Sequence, residues 1–355
     1  MRSQLTRREA LLSAGALAIA ACTPTATVPS SGATASAAAS KRAVANFRWI
    51  FGFTVQANPS MPVIIAKEAG FYDQQDLKIS WDFATPSATG MRLMGAGQYE
   101  AGSTGDVGTV IQFVNEGLPM KVIAMQSQLS GKALAVKKGS GITRPKQFEG
   151  KKVGIKSNNP WTEYLAMLAY DKVDRSKITE VPVGFSSVEL KEGLVDVLPV
   201  FTGNEPFVLR NSLQTEVDLI YPSDYGFPGI GSIMVANTNF IKTNRDVVLR
   251  FLKAVMKAQE WMLAERDKTI QMAVQYGGTA TTTAQHAFIY DQSKREMEAG
   301  DVKTKGQGYI PRDAWQKNID ILSDLGVIKT KPKFEDLVDS TLLDEIMKDG
   351  KVIWP

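Results

Sequence analysis

One cysteine and one histidine, Cys22 and His286, are all that 355 residues contain, and that scarcity removes several chemistries at once. A lone cysteine closes no intramolecular disulfide, and one His with one Cys is too small a ligand set for zinc. No Ser-His-Asp set, GxxxxGK[ST] phosphate loop or HExxH pair occurs, so hydrolase and nucleotide-binding readings lack their parts. Strong charge of either sign is also missing: 41 Lys and Arg stand against 37 Asp and Glu, a formal +4, which implies neither nucleic acid nor another polyanion as partner. Nor is there a long apolar run. The longest candidate, ALLSAGALAIAA from Ala10 to Ala21, is shorter than the roughly 20 residues that span a bilayer.

That run follows Arg2, Arg7 and Arg8, which is signal-peptide order. Ile19-Ala20-Ala21-Cys22 resembles a bacterial lipobox, so residues 1–21 are expected to be a signal peptide and Cys22 the site of lipidation. Thr6-Arg7-Arg8 followed by Leu11-Leu12 also resembles a twin-arginine signal, with Ala10 where an aromatic is preferred, which leaves the export route open. Residues 23–40, TPTATVPSSGATASAAAS, hold no charge and almost no bulky side chain, so residues 22–45 read as lipid anchor and flexible tether. Cleavage before Cys22 removes three Arg and one Glu and takes the formal charge from +4 to +2.

From Asn46 short β-branched or aromatic runs alternate with stretches of helical period, the pattern of α/β units. FRWIFGF, LKISWDF, YEAGSTG and MKVIAMQ read as strands around the helices SMPVIIAKEAGF, ATGMRLMGAG and DVGTVIQFVNEG. A second set begins after KALAVKKG: strands KKVGIKS, VPVGF, DVLPVF and DLIYP around the helices PWTEYLAMLAYDKV and SVELKEGLV. Long helices then dominate, including RDVVLRFLKAVMKAQEWMLAE, TTTAQHAFIYDQSKREME and PRDAWQKNIDILSDLG. Two similar sets followed by helices predict a two-lobed α/β clamp, one lobe from 46–131 and 232–355 and the other from 132–231. Its ligand would lie in the cleft, where strand ends and helix N-termini converge.

Four segments carry a family resemblance. FTVQANPSMPVIIAKEAGFYDQQDL, EAGSTGDVGTVIQFVNEGLPMKVIA, KKVGIKSNNPWTEYLAMLAY and GLVDVLPVFTGNEPFVL resemble the cleft loops and hinge signature of the thiamine-pyrimidine and riboflavin branch of ABC-importer substrate-binding proteins. The last matches at Asp196, Asn204, Glu205 and Pro206. The resemblance implies a type II periplasmic-binding-protein fold, a monomer without cofactor that hands a small molecule to a membrane permease with a cytoplasmic ATPase. With the lipid anchor, the expected location is the extracytoplasmic face of the cell membrane.

Within loop 54–60, Gln56, Asn58 and Ser60 are positioned to offer amide and hydroxyl groups to a ligand edge, although Asn-Pro-Ser is also ordinary helix-start chemistry. Pyrimidine binders of this branch would carry a histidine near here, where this chain has Pro59 and Ser60. Ser103, Thr104 and Asp106 form a second loop at a helix N-terminus, with a capping role for Asp106 as the alternative. In SNNPW, Asn158 or Asn159 suits the helix cap and Pro160 the first turn, which leaves Trp161 to stack on a flat ligand or pack on the core, with Tyr164 nearly one turn on. Glu205, beside Asn204, reads as a cleft-floor carboxylate that accepts two N–H bonds from a heteroaromatic ring, or as a hinge salt bridge or backbone cap. Phe201 and Tyr225 are candidate aromatic walls or core.

No cleft loop shows the Arg or Lys cluster that phosphate, sulfonate or nitrate requires. A neutral, flat, polar-edged ligand is therefore expected, riboflavin first and a formylaminopyrimidine thiamine precursor as its close rival. The same fold resembles an enzyme that builds the thiamine pyrimidine at the expense of its own histidine, with a cysteine-rich loop. Here His286 sits in the helical TAQHAFIY and reads as a surface or satisfied core residue, so binding rather than catalysis is expected. A receptor lipoprotein that kept the fold without transport is the third class.

Overall fold

The computed structural model describes residues 42–52, 61–84, 86–156, 161–277 and 281–355. Cys22 with the signal and the tether as far as residue 41, Gln56, Asn58, Ser60 and Asn158 lie outside the described residues, and the expected tether ends one residue early because Ala45 already belongs to the first strand.

Strand β1 (Ala45–Phe51) carries Phe47, Trp49 and Phe51 on alternate positions, all buried. It pairs in parallel with β2 (Leu77–Phe83), from Ala45 opposite Leu77 to Phe51 opposite Phe83, and with β3 (Ala101–Thr104). Strand β4 (Met120–Met125) is separated from β3 by β10 (Ile233–Asn237), which is antiparallel to both and gives the order β2-β1-β3-β10-β4. The second sheet holds β5 (Lys132–Lys137), β6 (Lys152–Lys156), β7 (Thr179–Val183), β8 (Val197–Phe201) and β9 (Val217–Ile220) in the order β7-β6-β8-β5-β9. Along β5, Leu134 and Val136 join one apolar cluster while Ala133 and Ala135 join another, so this sheet is covered on both faces.

Among the helices are α1 (Met61–Glu68), α2 (Ser87–Gly95), α3 (Val107–Asn115), α4 (Thr162–Tyr170), α5 (Thr238–Ala264), α6 (Arg266–Gly277), α7 (Thr283–Met297) and α8 (Arg312–Asp324). α5 starts where Asn237 Oδ1 accepts the N–H groups of Asn239 and Phe240 at 2.9 and 3.3 Å, and bends at Asn244, whose backbone is non-helical. Its Phe251 stacks on Phe47 with centroids 4.2 Å apart, which fixes the helix against the first sheet. The expected helix SVELKEGLV shrinks to one turn, Val188–Lys191, because the chain turns at Gly193 with φ 73°.

The chain leaves the first sheet after Met125, enters the second at Lys132 and returns at Ile233. Its two crossing segments are bound to each other: Ser232 N–H donates to Ser127 Oγ at 3.0 Å, and Ser232 Oγ to Gln126 Oε1 at 3.0 Å. A Cβ on Gly231 would stand 1.7 Å from Ser127 Oγ, so this approach requires glycine. Helix α7 adds a third tie. Gln285 donates to Asn204, Phe288 packs on Phe207 at 5.6 Å, and Thr202 Oγ1 donates to Glu296 Oε1 at 2.6 Å.

Candidate functional site

Parallel strands of both sheets end where loops and helix N-termini gather, the place where open α/β sheets bind ligands. On the first sheet Thr104 is fully buried at the end of β3, and its Oγ1 accepts the Asp106 N–H at 3.2 Å. Asp106 caps α3, its Oδ1 accepting the Thr109 N–H at 2.8 Å. A carboxylate there occupies the N-cap, beside the helix N-terminus that would otherwise favour an anion. Across the cleft stands the start of α4. A Cβ on Gly108 of α3 would lie 3.6 Å from Thr162 Oγ1, so the two helix N-termini, one from each sheet, meet.

Trp161 immediately precedes α4, and its half-buried ring packs on Phe201 with centroids 5.4 Å apart. Two lysines converge on this pair. Lys156 ends β6 with its Nζ 5.0 Å from the Phe201 ring, 5.6 Å from Trp161 and 4.7 Å from Phe185. Its ammonium pairs with Glu205 Oε1, with side chains 2% and 1% exposed, and the other Glu205 oxygen accepts the Phe201 N–H at 2.9 Å. Lys132 begins β5 opposite Phe201, lies 5.2 Å from the Trp161 ring and donates to Glu163 Oε1 at 2.8 Å.

Burial pulls the Lys156 ammonium below its ordinary pKa, against the opposing charge of Glu205. Burial also pulls at Lys132, but the charges of Glu163 and Asp106 outweigh it and hold this ammonium above its ordinary value. Asp106 sits on the first sheet's side, so Lys132 is drawn by carboxylates from both sides of the cleft.

The structure thus gathers Trp161, Phe201 and Glu205 into one cluster and adds Lys132, Lys156, Glu163 and Phe185. Glu205 takes the salt-bridge and backbone-cap alternative: both oxygens already have protein partners, so it does not present a bare carboxylate to a ring. Tyr164 is 3% exposed in the core of the second sheet and donates its hydroxyl to Glu180 at 3.3 Å, where burial pushes its pKa up. Tyr225 donates to the Thr143 carbonyl at 3.1 Å and packs edge-on against Tyr170, and exposed Asn204 accepts from Gln285 at 3.0 Å. Each of these three side chains has its polar atom held by a protein partner, and Trp161 and Tyr225 pack against the same apolar cluster that contains Tyr164. Among the described residues two strand ends deliver lysines, Lys132 and Lys156, that inspection of loops passes over.

Among the described residues no group of three His, Cys, Asp or Glu side chains is placed to hold a metal. His286 is 3% exposed with Nε2 2.8 Å from Thr281 Oγ1, a satisfied core histidine.

Known proteins place this architecture. The periplasmic aliphatic sulphonate-binding protein of Escherichia coli superposes with a TM-score of 0.66 at 14% identity, over 83% of this chain and 92% of that one. A Bacillus subtilis (strain 168) protein provisionally named as an aliphatic sulfonates-binding protein is 22% identical over 303 residues, 81% of this chain and 85% of its own. A desulfurization enzyme shares the fold with a TM-score of 0.55 at 12% identity, over 84% of this chain and 98% of that one. The architecture is that of the periplasmic binding proteins, an α/β fold of two sheets flanked by helices. The profile of the NMT1/THI5-like proteins matches residues 58–269, more than half of the chain, and the protein belongs to that family.

Proposed function

We propose that the protein is the substrate-binding component of an ABC importer, held at the extracytoplasmic face of the membrane by lipid on Cys22, and that it carries a flat heteroaromatic compound without net negative charge. Riboflavin is the first candidate and a formylaminopyrimidine the second. The supporting observation is the Trp161–Phe201 pair set among two buried ammonium groups, each already matched to a carboxylate. Such a cluster recognises a ring through its face while offering an anion no uncompensated charge. The Asp106 cap adds negative charge on the opposing side.

The relatives' names favour a second reading, an alkanesulfonate, for which Lys132 and Lys156 would be the cations. That reading requires a sulfonate to displace Glu163 or Glu205, leaving a buried carboxylate unpaired, which is expensive. Catalysis has no comparable support; one enzyme of the same fold does not transfer its chemistry.

Titration of the lipid-free mature chain, followed by tryptophan fluorescence, separates these readings. Saturable quenching by riboflavin or formylaminopyrimidine at micromolar concentration, with none by pentane-1-sulfonate, is the expected result. Response to the sulfonate alone would replace the cargo class, and silence with all three would overturn the binding-protein reading for this cleft. Trp161→Ala is expected to weaken the cognate ligand by about 1–3 kcal/mol, the loss of one aromatic stack. Unchanged affinity would remove Trp161 from the site.

A further inference from the structure

Glu163 has one oxygen accounted for and one not. Its side chain lies in the first turn of α4, two residues after Trp161, and the residue is 7% exposed. Oε1 accepts from Lys132 Nζ at 2.8 Å, whereas Oε2 is buried without a hydrogen-bond partner among the described residues. A buried carboxylate oxygen without a donor is costly and rarely tolerated where only packing is served. Glu205, by contrast, has both oxygens engaged.

We propose that Glu163 is a specificity-determining residue of the cleft, its Oε2 accepting a hydrogen bond from a ring N–H or amino group of a cargo whose face lies on Trp161. This rests on the binding-protein reading. Lys132 acts as the positioning residue: by holding Oε1 it fixes which way Oε2 points, so the acceptor is oriented before the ligand arrives. Two carboxyl groups, Asp106 and Glu163, face the single ammonium of Lys132, and Asp106 is close enough to act on it. A donor edge therefore meets favourable potential. An edge made only of acceptors, such as sulfonate oxygens, meets a carboxylate oxygen instead, which rejects it by repulsion as well as by the missing bond. Because Oε2 is buried, a bond to it forms out of water, where discrimination by hydrogen bonding is strongest.

The test compares each probe with its N-methylated form, 3-methylriboflavin for riboflavin and the amino-methylated compound for the formylaminopyrimidine, on wild type and on Glu163→Gln. Glu163→Gln keeps a carbonyl oxygen for Lys132 and puts an amide N–H₂ where Oε2 was. On wild type the methylated form is expected to bind at least tenfold more weakly than the parent; in Glu163→Gln that ratio should collapse toward one. An equal ratio in both proteins would show that Glu163 only neutralises Lys132 and would overturn the proposal. Equal affinity of parent and methylated probe on wild type would do the same, and needs no variant to fold. Wild type that binds neither parent compound fails the proposed cargo class instead, which is a separate outcome.

Discussion

Lys156→Met is expected to lower the unfolding free energy of the chain by about 3–5 kcal/mol, the cost of removing one partner from a buried ion pair. Lys156 and Glu205 have side chains 2% and 1% exposed, so water cannot replace the lost ammonium. The carboxylate would keep the Phe201 N–H alone, at 2.9 Å, and would either bear an uncompensated charge or take up a proton. Both routes cost free energy at neutral pH. Methionine fills much of the lysine volume, so cavity formation contributes little to the loss. The double variant Lys156→Met, Glu205→Gln should recover most of it, because both charges are then gone and the glutamine oxygen can still accept from Phe201. Urea denaturation at pH 7 measures this. A single variant within about 1 kcal/mol of wild type would mean that the pair is solvated in solution, and the account of the site as a closed, charge-matched cluster would fall with it. The same pair explains why Trp161 and Phe201 hold their places: three rings close on one ammonium, and the ammonium is fixed by the Glu205 carboxylate.

The strands were legible wherever side chains alternate against a core. LKISWDF is a strand from Leu77 to Phe83 as read, and FRWIFGF lies within β1 and the two residues after it. DVGTVIQFVNEG begins its helix at the residue after Asp106, whose carboxylate closes the first turn. The site was legible in part. Trp161 and Glu205 were found because a large aromatic at an exposed helix start and an acid between Asn and Pro both break the local pattern. Lys156 was missed because KKVGIKS looks like a strand with a solvated lysine at its end. Yet the run VGIK is buried throughout, and a lysine in a strand covered on both faces must find a carboxylate. That was the available signal. Tyr164 and Tyr225 went the other way: their residue type suits a ligand wall and a core equally well, and only the third dimension shows that Glu180 and the Thr143 carbonyl hold their hydroxyls. The crossing helix α7 was read as a helix, but its contacts with Thr202, Asn204 and Phe207 join residues some 80 to 95 positions apart, which no local pattern records.

One of those contacts sets a pH dependence. Glu296 lies at the end of α7, 8% exposed, with Oε1 accepting from Thr202 and Oε2 against Gly131, where a Cβ would stand 3.3 Å away. Burial raises its pKa from 4.5 to about 7; the Thr202 hydrogen bond and the charge of Arg295 oppose that rise without cancelling it. Because the folded value is the higher one, the folded state binds the proton more tightly. The contribution is fully present below the unfolded value and is lost as pH rises through about 7. Between pH 5 and 8 the chain should therefore lose up to about 3 kcal/mol of stability through this one group, at about 1.4 kcal/mol per pKa unit. His286 works in the opposite sense, since burial lowers its pKa and its neutral form is lost as pH falls. Its influence cancels when wild type is compared with Glu296→Gln, which keeps an acceptor for Thr202 and cannot ionise. The variant is expected to match wild type near pH 5 and exceed it at pH 8, as measured by denaturation across the range. Parallel pH profiles would show that Glu296 is ionised and hydrated in solution, and that the α7 tie between the two sheets is looser than its 2.6 Å hydrogen bond implies.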